Sequence, residues 1–333
     1  MSSFAEHSGS LLDERELDAV DVLVVGEALV DIVHSVDGEH EHPGGSPANV
    51  ALGLGRLGIT AALLSDLGRD PRGTSIADHL ARSSVRVLAE SFSDAPTSTA
   101  TALIGADGAA TYEFDVRWAL RCEAMPVPAR VVHTGSIAMF LEPGATAVEA
   151  LLRSRPAGVL VSLDPNIRPA LVGDRDVARA AFERFVTIAD IVKLSDEDAA
   201  WLYPGDPVEA VLGRLLDAGV GLAAMTRGEA GAILATRKHV ASTAALPVDV
   251  RDTVGAGDSF MAALLAELLR VPRPVDELDG ADLERLAALA VAAAAVTVGR
   301  VGADLPVAAD IERMRRTAAI ERCTTGAIGT VVI

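Results

Sequence analysis

Short runs of β-branched and aliphatic residues alternate, along much of this chain, with longer stretches whose apolar positions recur at helical spacing. The runs at 21–26, 61–65, 131–134, 158–163 and 190–193 are short and continuously apolar, as strands buried on both faces are. Helical patterns begin at Pro47 and cover 144–153 and 176–188. This βα repetition predicts a mainly parallel sheet covered by helices on both sides. Two segments, 33–41 and 98–115, alternate apolar and polar residues instead. The second turns at Gly105-Ala106-Asp107-Gly108, whose Asp-Gly pair marks a hairpin. The two are expected to form a small sheet outside the main one, able to cover a ligand.

The longest apolar run, 287–298, is alanine-dominated and shorter than the about 20 residues of a membrane helix, so it reads as a buried helix. Residues 1–19 are polar and acidic, without the basic start and apolar stretch of a targeting signal. They are expected to form a tail ahead of one folded body at 20–333. Half of the 333 residues are hydrophobic, enough for a large core. The net charge of −18 argues against a nucleic-acid surface, which needs an excess of Lys and Arg. The two cysteines, Cys122 and Cys323, lack metal-ligand spacing, and a reducing cytoplasm fits. No nucleic acid and no membrane are expected as partners.

The segment Arg251-Asp252-Thr253-Val254-Gly255-Ala256-Gly257-Asp258-Ser259-Phe260 runs straight into an apolar stretch at 261–269. Gly255 and Gly257 let successive N–H groups turn outward, and the first turn of a helix adds unpaired N–H groups with a positive partial charge. That is a site for an anion, most often phosphate. Asp258 falls beside it, where the helix dipole is expected to keep the carboxylate ionised and ready to accept a proton. An anion cradle with a fixed base points to phosphoryl transfer to a hydroxyl. An ordinary Asp-capped helix start is the alternative reading.

A second glycine turn, Pro43-Gly44-Gly45-Ser46-Pro47-Ala48-Asn49, opens another helix, with Asn49 bringing a donor and an acceptor to its first turn. Glu27 and Asp31 follow the first strand, at the sheet edge where α/β proteins bind ligands and where carboxylates can accept hydrogen bonds from sugar hydroxyls. Polar residues gather on the same edge at Asp164-Pro165-Asn166 with Arg168, at Lys193-Leu194-Ser195-Asp196-Glu197-Asp198, and at Thr226-Arg227-Gly228-Glu229-Ala230-Gly231. The last suits a nucleotide's phosphate or ribose, or is a plain β-turn. Gly53-Leu54-Gly55-Arg56-Leu57-Gly58 matches the dinucleotide fingerprint in letters only. It closes a helix instead of joining strand to helix, so a dehydrogenase is rejected. Its small residues are expected to let the helix pack against the sheet.

On these residues the chain resembles the PfkB-family sugar kinases of the ribokinase-like fold over nearly its whole length. Gly44-Gly45-Ser46-Pro47-Ala48-Asn49 and Asp252-Thr253-Val254-Gly255-Ala256-Gly257-Asp258 correspond to the family's two signatures. The resemblance implies a three-layer α/β/α fold with a central, mainly parallel sheet and a small β-sheet lid from segments 33–43 and 98–116. It implies Asp258 as general base and the amides of Gly255, Ala256 and Gly257 as anion hole. Asp31, Gly44, Gly45 and Asn49 would hold the sugar. Thr226, Gly228 and Gly231, with Lys193 and Ser195 nearby, would bind ATP, and Gly302-Ala303 would close around adenine and a monovalent cation, K+. Asp252 and the carbonyl of Val254 would contribute to that cation site.

Where many members carry Asn-x-x-Glu to organise Mg2+, this chain has Ser195-Asp196-Glu197-Asp198, which leaves Glu197 and Asp198 as candidates. Gly26-Glu27-Ala28-Leu29-Val30-Asp31, Tyr112-Glu113-Phe114 and Asp164-Pro165-Asn166-Ile167-Arg168 look most like the fructokinase branch. Arg168 could instead pair the carboxylate of 2-keto-3-deoxygluconate, or form a structural ion pair. Ribokinase is a further alternative, and a non-catalytic sugar- or nucleotide-binding regulator is the reading from another class. The family also implies a possible homodimer through the lid.

Overall fold

In the computed structural model, which describes residues 19–35, 38–104, 110–122 and 124–326, the chain begins with β1 (Val20–Val25) and the hairpin β2 (Leu29–Ser35) and β3 (Gly38–Gly44). Helix α1 (Ser46–Arg56) returns to β4 (Ala61–Leu64). Next come β5 (Leu67–Gly68), α2 (Pro71–Ala81), β6 (Val85–Val87), β7 (Phe92–Ser93) and a second hairpin, β8 (Thr99–Ile104) and β9 (Ala110–Asp115). Strand β10 (Ala129–Gly135) opens the alternating half: α3 (Gly144–Arg153), β11 (Leu160–Asp164), α4 (Pro169–Val172), α5 (Arg175–Val186), β12 (Ile191–Ser195), α6 (Asp196–Leu202), α7 (Val208–Asp217) and β13 (Leu222–Thr226). Two more strands, β14 (Ala232–Ala235) and β15 (Val240–Thr243), precede α8 (Ala256–Leu268), α9 (Gly280–Val298) and α10 (Ala308–Gly326).

The main sheet has the order β15-β14-β13-β12-β11-β10-β1-β4-β6. It is parallel from β6 to β13 and antiparallel at β14 and β15. Val22 and Val24 of β1 point into one core with α1, α8 and α9, while Leu23 and Val25 point into the other with α3, α5 and α7. The period of two thus explains why the strand reads as continuously apolar. Both faces are covered, as the expected three-layer fold requires. Helix α8 is buried all round at Met261–Leu265, and among the described residues no helix is long and apolar enough to cross a membrane.

From β1 the chain leaves toward β4 on one side, while β10 begins the other half, so the strand order reverses between β1 and β10. Open α/β sheets bind ligands in the crevice at such a point. Beside it lies the lid, a four-stranded sheet of order β3-β2-β8-β9. The expected lid segment 33–43 is a full hairpin that begins at Leu29, so Asp31 belongs to the lid and not to the end of β1. The anticipated turn at 105–108, the tail at 1–18 and the last residues, 327–333, lie outside the described residues, as does the side chain of Cys323.

The glycines of the rejected fingerprint do ease packing, and Gly55 does so against the sheet as expected, since a Cβ there would lie 2.7 Å from Val85 Cγ2 of β6. A Cβ on Gly53 would meet Ala262 of α8 and Leu305 at 2.7 Å, and one on Gly55 would run into the Ser83 carbonyl. They let α1 lie close to α8 and to the loop before β6.

Candidate active site

Gly255 takes the left-handed conformation, φ 77°, as the N-cap of α8. This is the backbone bend that glycine makes without strain. The N–H of Ala256 donates to the Thr253 carbonyl at 3.2 Å, whereas those of Gly255, Gly257 and Asp258 have no acceptor among the described residues. The turn thus leaves three amides open, those of Gly255, Gly257 and Asp258, and uses that of Ala256 within itself.

The Asp258 side chain is 4 % exposed and fixed from α1. Ser46 Oγ donates to its Oδ1 at 2.7 Å and Asn49 Nδ2 donates to its Oδ2 at 2.8 Å. Both partners come from the first turn of α1, whose N-cap Gly45 has φ 103°. The two glycine turns are thus the two halves of one site. Burial raises the Asp258 pKa, and the hydrogen bonds from Ser46 and Asn49 and the charges of Lys193 and Arg168 oppose it. Desolvation thus works against the ionised form that the sequence leads one to expect, and the partners of the carboxylate work for it.

Gly44 and Gly45 make room for protein groups. A Cβ on Gly44 would strike the Asp31 carboxylate, and one on Gly45 would lie 2.7 Å from the Glu27 carbonyl. Asp31, opposite His42 in the lid hairpin, is pushed up to about 6 by burial, against the pull of His42 and Arg168. Glu27 is 5 % exposed, its Oε2 has no partner, and burial pushes it up to about 8. Arg168 is exposed. Its Nη1 donates to Asn166 Oδ1 at 2.8 Å, and the described residues offer it no carboxylate partner, so the structural ion pair is not formed. Its charge nevertheless acts on Glu27, Asp31 and Asp258.

Lys193 lies on β12, beside the strand that leads into the Thr226 turn, and its ammonium reaches Asp164 and the glycine turn of α8. It is 3 % exposed, its Nζ is 2.7 Å from Asp164 Oδ2, and a Cβ on Gly257 would come within 2.9 Å of that Nζ. The ammonium sits directly under the glycine turn of α8. Ser195 and Asp198 form a capping box at the start of α6. Asp198 is 6 % exposed: its Oδ2 accepts from the Ser195 amide at 3.1 Å and its Oδ1 from the Ile167 amide at 2.8 Å. Glu197 is exposed on the same turn.

Thr226 ends β13 opposite Ser195 of β12, and Gly228 and Gly231 bound a single helical turn with φ 49° and 82°. A Cβ on Gly228 would meet nothing, so this turn presents open backbone beside the cradle edge of the sheet. Asp252 joins two loops, accepting from the Val254 amide at 3.0 Å and from the Gly302 amide at 2.8 Å. Ala303 in turn packs on Gly255. Sequence reasoning missed the Ser46 bond to Asp258, because nothing local marks partners 212 positions apart.

The pattern of the pfkB family carbohydrate kinases matches residues 19–310. A fructokinase of Klebsiella pneumoniae is 36 % identical over 258 residues, covering 74 % of this chain and 84 % of that protein. Among solved structures, a fructokinase of Xylella fastidiosa with bound ATP superposes with a TM-score of 0.79 at 23 % identity, over 90 % of this chain and 99 % of the other. A double mutant of the fructokinase of Vibrio cholerae O395, in a form with fructose, ADP and potassium ion bound, gives a TM-score of 0.76 at 26 % identity over 89 % and 99 %. With a buried carboxylate held at the head of a glycine-capped helix and a match across nearly all of the folded chain, this protein belongs to the pfkB family of carbohydrate kinases and is a sugar kinase.

Proposed function

We propose that this kinase is a fructokinase, transferring the γ-phosphate of ATP to a primary hydroxyl of fructose. The observation that carries the reading is Asp258, held by Ser46 and Asn49 at the head of α8 beside open amides. In this geometry the ionised Asp258 accepts the hydroxyl proton as the sugar oxygen attacks. The amides of Gly255, Gly257 and Asp258 stabilise negative charge on the transferred group, and the buried Lys193 ammonium adds positive potential beneath them. Asp31, Gly44, Gly45 and Asn49 line the sugar side, and Thr226, Gly228 and Gly231 the nucleotide side. The fructose-bound relative and the curated fructokinases support the choice of sugar.

Magnesium, when bound with ATP, neutralises phosphate charge. The chain's donors fit it unequally. Both oxygens of Asp198 already serve backbone amides, so exposed Glu197 is the better group to hold magnesium's waters. Asp252 and the Val254 carbonyl fit a monovalent cation such as K+, since the Asp252 carboxylate already ties together the two loops that would flank it. One observation favours a second acceptor: Arg168, with no carboxylate partner among the described residues, could take the carboxylate of 2-keto-3-deoxygluconate.

The test is ATP-dependent phosphorylation of fructose, ribose, 2-keto-3-deoxygluconate and adenosine with magnesium and potassium present. Preference for fructose is expected. Preference for the acidic sugar would transfer the assignment to Arg168's partner, and turnover of none would overturn it.

A further inference from the structure

Glu27 is a buried acid at the strand-order reversal that the reaction described above does not use. It follows β1 directly, and Ser136 follows β10, the neighbouring parallel strand that pairs Val25 with Thr134. The two residues therefore stand side by side at the crevice where the sheet binds its ligands. Gly45 at the start of α1 closes over the Glu27 backbone. The Ser136 hydroxyl and Glu27's own amide lower the pKa of the carboxyl. One of its oxygens, Oε2, is buried and unpartnered.

Buried polar atoms almost always find a partner, so an orphan beside a ligand site points to a ligand atom. The contrast with Asp258 says what kind. Asp258 receives two hydrogen bonds and lies near Lys193, an arrangement that favours a carboxylate. Glu27 Oε2 receives none, and the Asp258 charge raises the pKa of the group. Two neighbouring carboxyls whose surroundings differ in this way divide into a base and a neutral acid.

We propose that Glu27 orients the acceptor sugar as a neutral carboxylic acid, its Oε2–H donating a hydrogen bond to a sugar oxygen next to the hydroxyl that Asp258 deprotonates. This deepens the sugar-kinase reading and rests on it. Burial holds the group protonated until about pH 8. The charges that act on it are Asp258 from α8, which raises its pKa, and Arg168 from the loop after β11, which lowers it, while the Ser136 hydroxyl on the turn after β10 lowers it as well. Ionisation would remove the donor and set a second negative charge against the forming alkoxide.

The experiment is the pH profile of kcat/KM for fructose in the wild type, Glu27→Gln and Glu27→Ala. The wild type is expected to lose activity on the alkaline side with a midpoint near 8. Glu27→Gln, a donor that cannot ionise, should keep kcat/KM at neutral pH within about threefold and lose that alkaline limb. Glu27→Ala should lower kcat/KM about tenfold at neutral pH, through KM for the sugar with KM for ATP unchanged, and should likewise lack the alkaline limb. An unchanged alkaline limb in Glu27→Gln, or a loss as large as in Glu27→Ala, overturns the proposal. Infrared difference spectra between wild type and Glu27→Gln read the acid without turnover: a protonated-carboxyl band at neutral pH that shifts when sugar is added is expected. Fructose turnover without that band overturns the proposal and leaves the kinase reading standing. The band without turnover or shift for any sugar overturns both.

Discussion

Replacing Lys193 with methionine tests the buried charge network under the cradle. The side chains of Lys193 and Asp164 are 3 % and 1 % exposed, with Nζ and Oδ2 2.7 Å apart. Burial works against the ammonium, but Asp164, Asp198 and Asp258 together raise its pKa and keep it charged. Burial also pushes Asp164 up to about 6, with Lys193 opposing, and Asp164 Oδ1 has no partner of its own. Methionine matches the lysine stem and deletes the charge, stranding a fully buried carboxyl. Breaking such a pair from one side costs about 3–5 kcal/mol, and at roughly 2 °C per kcal/mol for a chain of this size the melting temperature should fall by about 6–10 °C. Lys193→Met with Asp164→Asn removes both charges and should recover most of that loss. Activity separates the two roles. Asp258 loses a cation that lowers its pKa, so the acid limb of kcat should move to higher pH in the single variant and return part of the way in the double, where the repelling Asp164 charge is gone as well. Thermal unfolding and a coupled ADP-release assay read both quantities. A single variant within about 1 kcal/mol of wild type, with its acid limb in place, would refute the reasoning.

Asp258→Asn keeps the shape and removes the base, so kcat should fall about 10²–10⁴-fold while equilibrium binding of ATP persists; wild-type turnover would dismiss Asp258 as base. Gly255→Ala forces a side chain into φ 77° and 2.9 Å from the Ala303 Cβ, which should lower stability by about 1–2 kcal/mol and reduce kcat more than it raises KM for fructose, as steady-state kinetics would show. Glu27 titrates at about 8 when folded against 4.5 as the ordinary value, so the folded state binds the extra proton between them. Its contribution to stability is complete below pH 4.5 and is lost as pH rises through about 8; urea unfolding across that window should show a steeper decline in wild type than in Glu27→Gln.

What the sequence disclosed and what it hid divide along one physical line. Local chemistry was legible: α3 occupies 144–153 as its periodicity predicts, β1 shows the apolar run of a strand buried on two faces, and Gly255 caps α8 as the turn requires. The lid's second strand was hidden because β3 reads Gly-Glu-His-Glu-His-Pro-Gly and is exposed along nearly its whole length; with no face to bury, it carries no hydrophobic period. Asp258's partners and Lys193's ion pair with Asp164 were hidden for a different reason. Both depend on which groups the fold brings together across 212 and 29 positions, and both involve charge taken out of water, which leaves no trace in local spacing. The two signatures announce a site because each is a helix start with glycine where the backbone must bend. Only the packing of α1 on α8 makes them one site, with the donors of the first fixing the base of the second.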